Sequence, residues 1–140
     1  MLHKQPTTAL LLLMVIGWAF SMPMAAAQAR ADANSSQIAG TWRGNSVCVV
    51  KDSPCHDEIN VYRFSKISGR VESFSVTASK VVDGKEVVMG TSEWTYDFEK
   101  HVLECKLPSV RLVLDGDKME GALKLADGTV YRRIYLKRDN

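Results

Sequence analysis

Residues 109–138 read SVRLVLDGDKMEGALKLADGTVYRRIYLKR, which is three runs rich in Val, Leu, Ile and Tyr separated by two Asp-Gly pairs. Asp-Gly supplies the positive φ angles that a tight hairpin turn needs, so Asp115-Gly116 and Asp127-Gly128 each predict a β-hairpin. Side chains alternate between two faces along the second and third runs, as expected of strands with one buried face. The stretch therefore predicts three antiparallel strands in a meander.

The same pattern extends back to Ile38. Further turn signals are Ser68-Gly69, Asp83-Gly84, Glu99-Lys100 and the segment 51–54. The predicted strands are 39–50, 58–67, 70–82, 85–98, 101–107, 109–114, 117–125 and 129–138. Eight strands joined by short turns can hide their edges by closing into a barrel. A two-sheet sandwich is the alternative, but it needs a long crossover connection that the sequence lacks. We predict an all-β fold, an antiparallel eight-strand up-and-down barrel.

The N-terminal residues have the layout of a secretory signal peptide, with Lys4 at the start, an apolar run over 9–20 and an A-x-A processing site at 27–29. A membrane anchor is the alternative. The apolar run would span only about 18 Å as a helix, against roughly 30 Å of hydrocarbon core. We therefore predict a signal peptide over 1–29, a disordered leader over 30–37 and one barrel domain over 38–140. The protein is then periplasmic or secreted, with no membrane span in its mature part.

The mature part is 111 residues long, the size of a single domain. It carries 17 Lys and Arg against 16 Asp and Glu, because Lys4 leaves with the signal peptide. The charges are interspersed and form no basic stripe, so composition gives no support for nucleic-acid binding. We expect a monomer.

All three cysteines lie in the mature part, and export places them in an oxidising compartment. Cys48 and Cys55 flank the loop 51–54, and we predict a disulfide between them. Such a bridge closes an eight-residue loop and contributes about 2.5 kcal/mol in the chain-entropy model. Cys105 is then an unpaired, buried thiol, unless it competes for one of the other two.

Two features resemble the lipocalin-type (calycin) barrels. Gly40-Thr41-Trp42 opens the first predicted strand, as the G-x-W signature does in those proteins, and Arg132 lies in the last strand. The resemblance implies a barrel whose one end is plugged by Trp42 with the Arg132 side chain across its ring, which gains cation–π attraction. The chain is shorter than a typical lipocalin and lacks the helix that usually follows the last strand.

A second resemblance covers most of the mature chain. The segments 42–48, 55–58, 61–64, 80–85 and 89–90 are similar to a group of small exported bacterial proteins that has no assigned function. This resemblance implies a bacterial origin and a shared fold, and it transfers no activity.

The sequence offers no catalytic motif, since it lacks a G-x-S-x-G elbow, an HExxH pair and a Gly-rich phosphate loop. A second candidate is a metal site formed by Cys48, Cys55, His56, Asp57 and Glu58. The Cys-x6-Cys-His arrangement does not match the short spacing of structural zinc sites, so a disulfide followed by acidic residues at the start of the next strand is favoured. We predict a protein that is not an enzyme and holds no metal or cofactor.

Five aromatic side chains face inward if the alternation holds, namely Tyr62, Phe64, Phe74, Trp94 and Tyr96. They either line a ligand cavity or simply fill a small barrel. Arg132 and Arg111 are the groups best suited to orient an anionic head group in such a cavity.

The predicted function is a non-enzymatic binding protein for a small apolar or amphipathic ligand. The alternative is a protein-interaction or inhibitor module that acts through the barrel surface or its rim loops. A cavity of roughly 300 Å³ or more is what a ligand carrier needs. If Trp42 plugs one end, the mouth lies at the other, together with the loop 48–55 and the turns at 83–84, 107–108 and 127–128.

Overall fold

The computed structural model describes residues 24–140, in which one helix precedes eight strands. The elements are α1 (Met24–Ile38), β1 (Gly40–Cys48), β2 (Glu58–Ile67), β3 (Arg70–Val82), β4 (Lys85–Asp97), β5 (Val102–Cys105), β6 (Ser109–Asp115), β7 (Lys118–Lys124) and β8 (Val130–Arg138). Most of the predicted signal peptide falls in residues 1–23, outside the described part, and stays a prediction. No helix within residues 24–140 is long and apolar enough to cross a membrane.

The strands form a closed barrel in sequence order, each antiparallel to its neighbours. The first and last strands complete the ring, with Trp42 opposite Arg138 and Cys48 opposite Arg132. The predicted eight-strand up-and-down barrel is therefore confirmed, and the sandwich is wrong. The fifth strand is shorter than predicted, because residues 106–108 turn the chain and Pro108 has no N–H for a ladder bond.

Alternation explains how the strands build the core. Along β6, Val110, Leu112 and Leu114 are buried while Arg111 and Val113 are exposed, the period of two expected of a strand with one inward face. The same alternation on the other strands brings most of the large apolar side chains to the barrel interior.

A β-bulge shapes the wall between β3 and β4. Ala78 pairs with Gly90, but the next residue, Ser79, pairs with Val88, so Met89 is the extra residue on β4. A bulge bends its strand and redirects the neighbouring side chains. Here it lies beside the part of the barrel that is hollow.

The structure differs from the prediction of a disordered leader over 30–37, since these residues form the second half of α1. The preceding segment is rich in Ala, the strongest helix former. The helix also has something to bury, which its polar composition concealed. Ile38 is fully buried against the barrel, and its carbonyl accepts a hydrogen bond from Trp42 Nε1 at 2.8 Å.

Candidate functional site

One end of the barrel is closed by Trp42 and the end of α1. The Trp42 ring is fully buried, and the guanidinium carbon of Arg138 lies 4.5 Å from the ring centroid. Arg138 Nη1 also donates a hydrogen bond to the Ala39 carbonyl at 2.9 Å. A cation over the face of an indole is attracted by the ring quadrupole, so the pair seals this end with both groups satisfied.

The prediction that Arg132 lies across the Trp42 ring is therefore wrong, because the arginine in that position is Arg138. Trp42 is the third residue of β1, and antiparallel pairing sets it opposite the last residue of β8, which is Arg138. Arg132 lies six residues earlier on β8, opposite Cys48 at the other end of the barrel. The prediction that Arg111 faces the cavity is also wrong. Arg111 points outward, and its Nε donates to Glu104 Oε1 at 2.9 Å.

The end opposite Trp42 holds a cavity of about 240 Å³. Leu107 and Pro108, in the turn between β5 and β6, border it. The disulfide loop lies at the same end, since Arg132 Nη1 donates to the His56 carbonyl at 3.1 Å. The Cys48–Cys55 bridge is confirmed, and Cys105 is a buried free thiol. The mouth lies where the turn order predicts it.

Of the five inward aromatic residues, some line a cavity and the others fill the barrel core. Tyr62 and Trp94 line the cavity, whereas Phe64, Phe74 and Tyr96 pack in the core beneath it. Tyr62 and Trp94 meet edge to face with ring centroids 5.9 Å apart, and Phe64 meets Trp94 in the same way at 5.7 Å. The interior is therefore packed beneath the cavity and hollow at the mouth.

The cavity wall has a polar side and an apolar side. Four polar residues of the adjacent strands β8, β1 and β2 form the polar side, and they are Ser46, Glu58, Asn60 and Arg132. The other strands that border the cavity, β3, β4, β6 and β7, contribute mainly apolar groups, among them Ala78, Trp94, Val110 and Leu123, together with Thr91 and Ser92 of β4. An amphipathic molecule fits such a wall, since each of its two parts meets matching chemistry.

Arg132 is the centre of the polar side. Its side chain is only 13% exposed, and besides the bond to His56 its Nη1 lies 3.4 Å from both the Ser46 carbonyl and Oγ. Glu58 Oε2 is 3.6 Å away, and the other carboxylate oxygen of Glu58 is 3.6 Å from Lys80 Nζ. One carboxylate thus faces two cations, Arg132 on the cavity wall and Lys80 beside it.

Two further groups of β2 face the cavity. Asn60 is 4% exposed, and its Oδ1 accepts no hydrogen bond from any residue of the described chain. Burial raises the pKa of the Tyr62 phenol above its ordinary value, and a hydrogen bond with the Asn60 side chain partly offsets that rise. Sequence reasoning missed Asn60, although a polar residue at an inward position of β2 was the signal for it.

Gly90 is another cavity residue that the sequence did not reveal, as are Ser46 and Glu58. It lies on the wall next to the bulge, and a Cβ added there would meet no heavy atom within 4 Å. The missing side chain is part of the reason that the interior is hollow at this height. A glycine at an inward position of a long strand was the signal that could have indicated it.

The mouth carries an apolar rim, defined here as Val49, Met89, Leu107 and Leu125, whose exposed fractions run from 41% to 87%. Large apolar side chains of this kind are costly to leave in water and commonly mark a binding surface. Across residues 24–140 no group of His, Cys, Asp and Glu side chains has the arrangement of a metal site.

The comparisons with known proteins support the fold and give no information on function. No family model and no curated protein matches the chain. Among solved structures, a redesigned β-barrel is similar, with a TM-score of 0.57 and 18% sequence identity over 76% of this chain and 95% of that one. At this identity the likeness shows a shared barrel fold alone.

Proposed function

We propose that this chain is a non-enzymatic binding protein that holds a small amphipathic ligand in the cavity at the mouth of the barrel. The observation that carries the proposal is the mixed wall, in which Arg132 and Asn60 line the same hollow as Trp94 and Leu123. A cavity with few, convergent polar groups on an apolar background is what small-molecule sites have in common.

The cavity volume sets the size of the ligand. At about 240 Å³ it holds the equivalent of about eight water molecules. It falls below the roughly 300 Å³ given above as what a ligand carrier needs, so it does not meet that requirement. The proposed ligand is therefore small, on the order of ten non-hydrogen atoms, and a long acyl chain would protrude through the mouth.

The cellular setting is part of the same proposal. The disulfide is compatible with export to the periplasm or the medium, because such bridges persist in oxidising compartments. Closure of the barrel supports a monomer, since all eight strands are paired on both sides. The likeness to lipocalin-type barrels draws support from the G-x-W segment at the closed end and from a cationic side chain on its ring, which is Arg138.

Fluorescence titration with small apolar and amphipathic acids tests the proposal. Trp94 lines the cavity and Trp42 lies at the opposite end, so a saturable response should vanish in Trp94→Phe and persist in Trp42→Phe. Gly90→Leu should abolish binding by filling the hollow, whereas Thr95→Leu, which changes an exposed side chain of the same strand, should leave it unchanged. A response that survives Gly90→Leu would contradict a site in this cavity.

The apolar rim favours a second candidate, a module that docks a protein partner through its rim loops. Leu107 supports it, because this side chain is 87% exposed at the tip of a turn. One pair of variants distinguishes the two candidate functions. Ligand binding should be lost in Gly90→Leu and retained in Leu107→Asp, while docking on the rim should show the opposite pattern.

A further inference from the structure

The polar side of the cavity contains one acceptor that lacks a donor. Asn60 Oδ1 is buried and forms no hydrogen bond within residues 24–140. A buried polar atom without a partner is destabilising, so one that faces a cavity indicates a partner supplied from outside. Ser79 Oγ is also unpartnered, but Ser79 pairs with Val61 on the outer side of β3 and does not line the cavity.

The same side offers donors for an anion. All hydrogen bonds that Arg132 forms within the described chain run through Nη1, and its guanidinium carbon lies 5.6 Å from the Tyr131 ring centroid. The N–H groups of Nη2 and Nε therefore have no hydrogen-bond partner in the described chain and can donate to a ligand. Glu58 lies 3.6 Å from both Arg132 Nη1 and Lys80 Nζ, so this carboxylate is shared between the two cations. A guanidinium with spare donors in a partly buried site binds carboxylates well.

The spacing of the two features limits the ligand. Glu58 and Asn60 are two residues apart on the inward face of β2, which separates them by about 7 Å along the strand. Arg132 Nη1 lies 3.6 Å from Glu58. The acceptor of Asn60 and the donors of Arg132 can thus be reached together by a short polar head that carries a hydroxyl close to a carboxylate.

We propose that the cavity binds small hydroxy acids with an apolar body: the carboxylate lies against Arg132, the hydroxyl donates to Asn60 Oδ1, and the body packs against Trp94 and Ile134. This assignment rests on the proposed function and narrows it to one class of ligand. It predicts that the hydroxyl and the carboxylate are both recognised.

Calorimetric titration with three matched compounds tests it. They are 2-hydroxy-4-methylpentanoate, 4-methylpentanoate, which lacks the hydroxyl, and 4-methylpentan-2-ol, which lacks the carboxylate. The hydroxy acid should bind about tenfold more tightly than either of the others, since each deletion leaves a buried polar group unpaired. Equal affinities for all three would overturn the assignment while leaving a small-ligand cavity in place.

Variants link the preference to the residues. Asn60→Leu should bring the affinities for the hydroxy acid and the plain acid to the same value, with thermal stability kept or raised. Arg132→Gln should bring the affinities for the hydroxy acid and the alcohol to the same value. Ser79→Ala removes the other unpartnered buried group and should change neither preference.

The two proposals fail in different ways. If apolar probes bind but no compound of the matched set does, the hydroxy-acid assignment is overturned and the small-ligand site stands. If neither the probes nor the matched set bind, the proposed function itself is overturned. A preference for the hydroxy acid that persists in Asn60→Leu would show that Asn60 is not the acceptor.

Discussion

The two ends of the barrel use an arginine of the same strand in different ways. At the closed end, Arg138 covers the Trp42 ring and donates through Nη1 to the Ala39 carbonyl. At the mouth, Arg132 also donates through Nη1, to the His56 carbonyl, but its side chain lines a hollow. The difference separates a residue that completes the fold from one that can serve a ligand.

The glycines also differ between tightly packed parts of the barrel wall and the wall of the cavity. A Cβ on Gly44 would overlap the backbone of Tyr135 on β8, and one on Gly121 would overlap the Arg111 carbonyl on β6. These two glycines allow neighbouring strands to approach closely. Gly90, beside the cavity, has open space where its side chain would be. The molecule is thus packed to the limit in one region and under-filled in another.

The largest expected effect is at the closed end. Trp42→Ala should lower the free energy of unfolding by about 3–5 kcal/mol, because it empties a fully buried indole site. Chemical denaturation followed by circular dichroism measures the change. Stability equal to that of the natural protein would contradict the role of Trp42 as the plug of this end.

The next effect concerns the close approach of β1 and β8. Gly44→Ala should cost about 1–3 kcal/mol, since the added methyl overlaps backbone that cannot move without opening the ladder. The measurement is the shift in denaturation midpoint. Gly121→Ala should behave alike, and a neutral result at both positions would refute the tight packing described here.

A smaller effect distinguishes the two arginines. Arg138→Met should cost about 1–2 kcal/mol, because it removes the cation from the Trp42 ring and the bond to Ala39 while it keeps an unbranched apolar chain. Near-ultraviolet circular dichroism should report a changed environment for Trp42. The matched change Arg132→Met should leave that Trp42 signal as it is, and a change of similar size would argue against separate roles.

The smallest effect has the opposite sign. Gly90→Ala should raise stability by about 0.5–1 kcal/mol, because it removes the entropic cost of a glycine inside a strand and meets no neighbour within 4 Å. Thermal denaturation detects the gain. A loss of stability at this position would mean that the hollow beside β4 is smaller than the structure indicates.

The fold could be predicted from sequence because its signals are local. Asp-Gly turns and alternation identified the strands, and the short loop 48–55 identified the disulfide. Pairing Trp42 with Arg132 was wrong because the choice among the arginines of β8 depends on register, which alternation does not supply. The position of Trp42 near the start of β1 was the unused clue, since its partner then has to lie near the end of β8.

The candidate site was less predictable, and for a physical reason. A cavity is set by what is missing, so the inward aromatic residues predicted a core and a cavity equally well. At the mouth, Asn60 and Gly90 are the residues that distinguish a cavity from a packed core. Neither residue indicates a cavity when it is considered alone in the sequence. The helix α1 was missed because, among its described side chains, it buries only Ser35 and Ile38, against a barrel end that only the folded chain provides.

The pairing of β1 with β8 also determines how the barrel responds to mechanical force. The first residues of β1 and the last of β8 are neighbours, and the Asp139 amide still donates to the Thr41 carbonyl at 2.9 Å. Because the two strands are antiparallel, pulling these adjacent ends apart loads the ladder bonds one pair after another, from Trp42–Arg138 toward Cys48–Arg132. The barrel should therefore unzip at low force from its plugged end, and its mouth should open last.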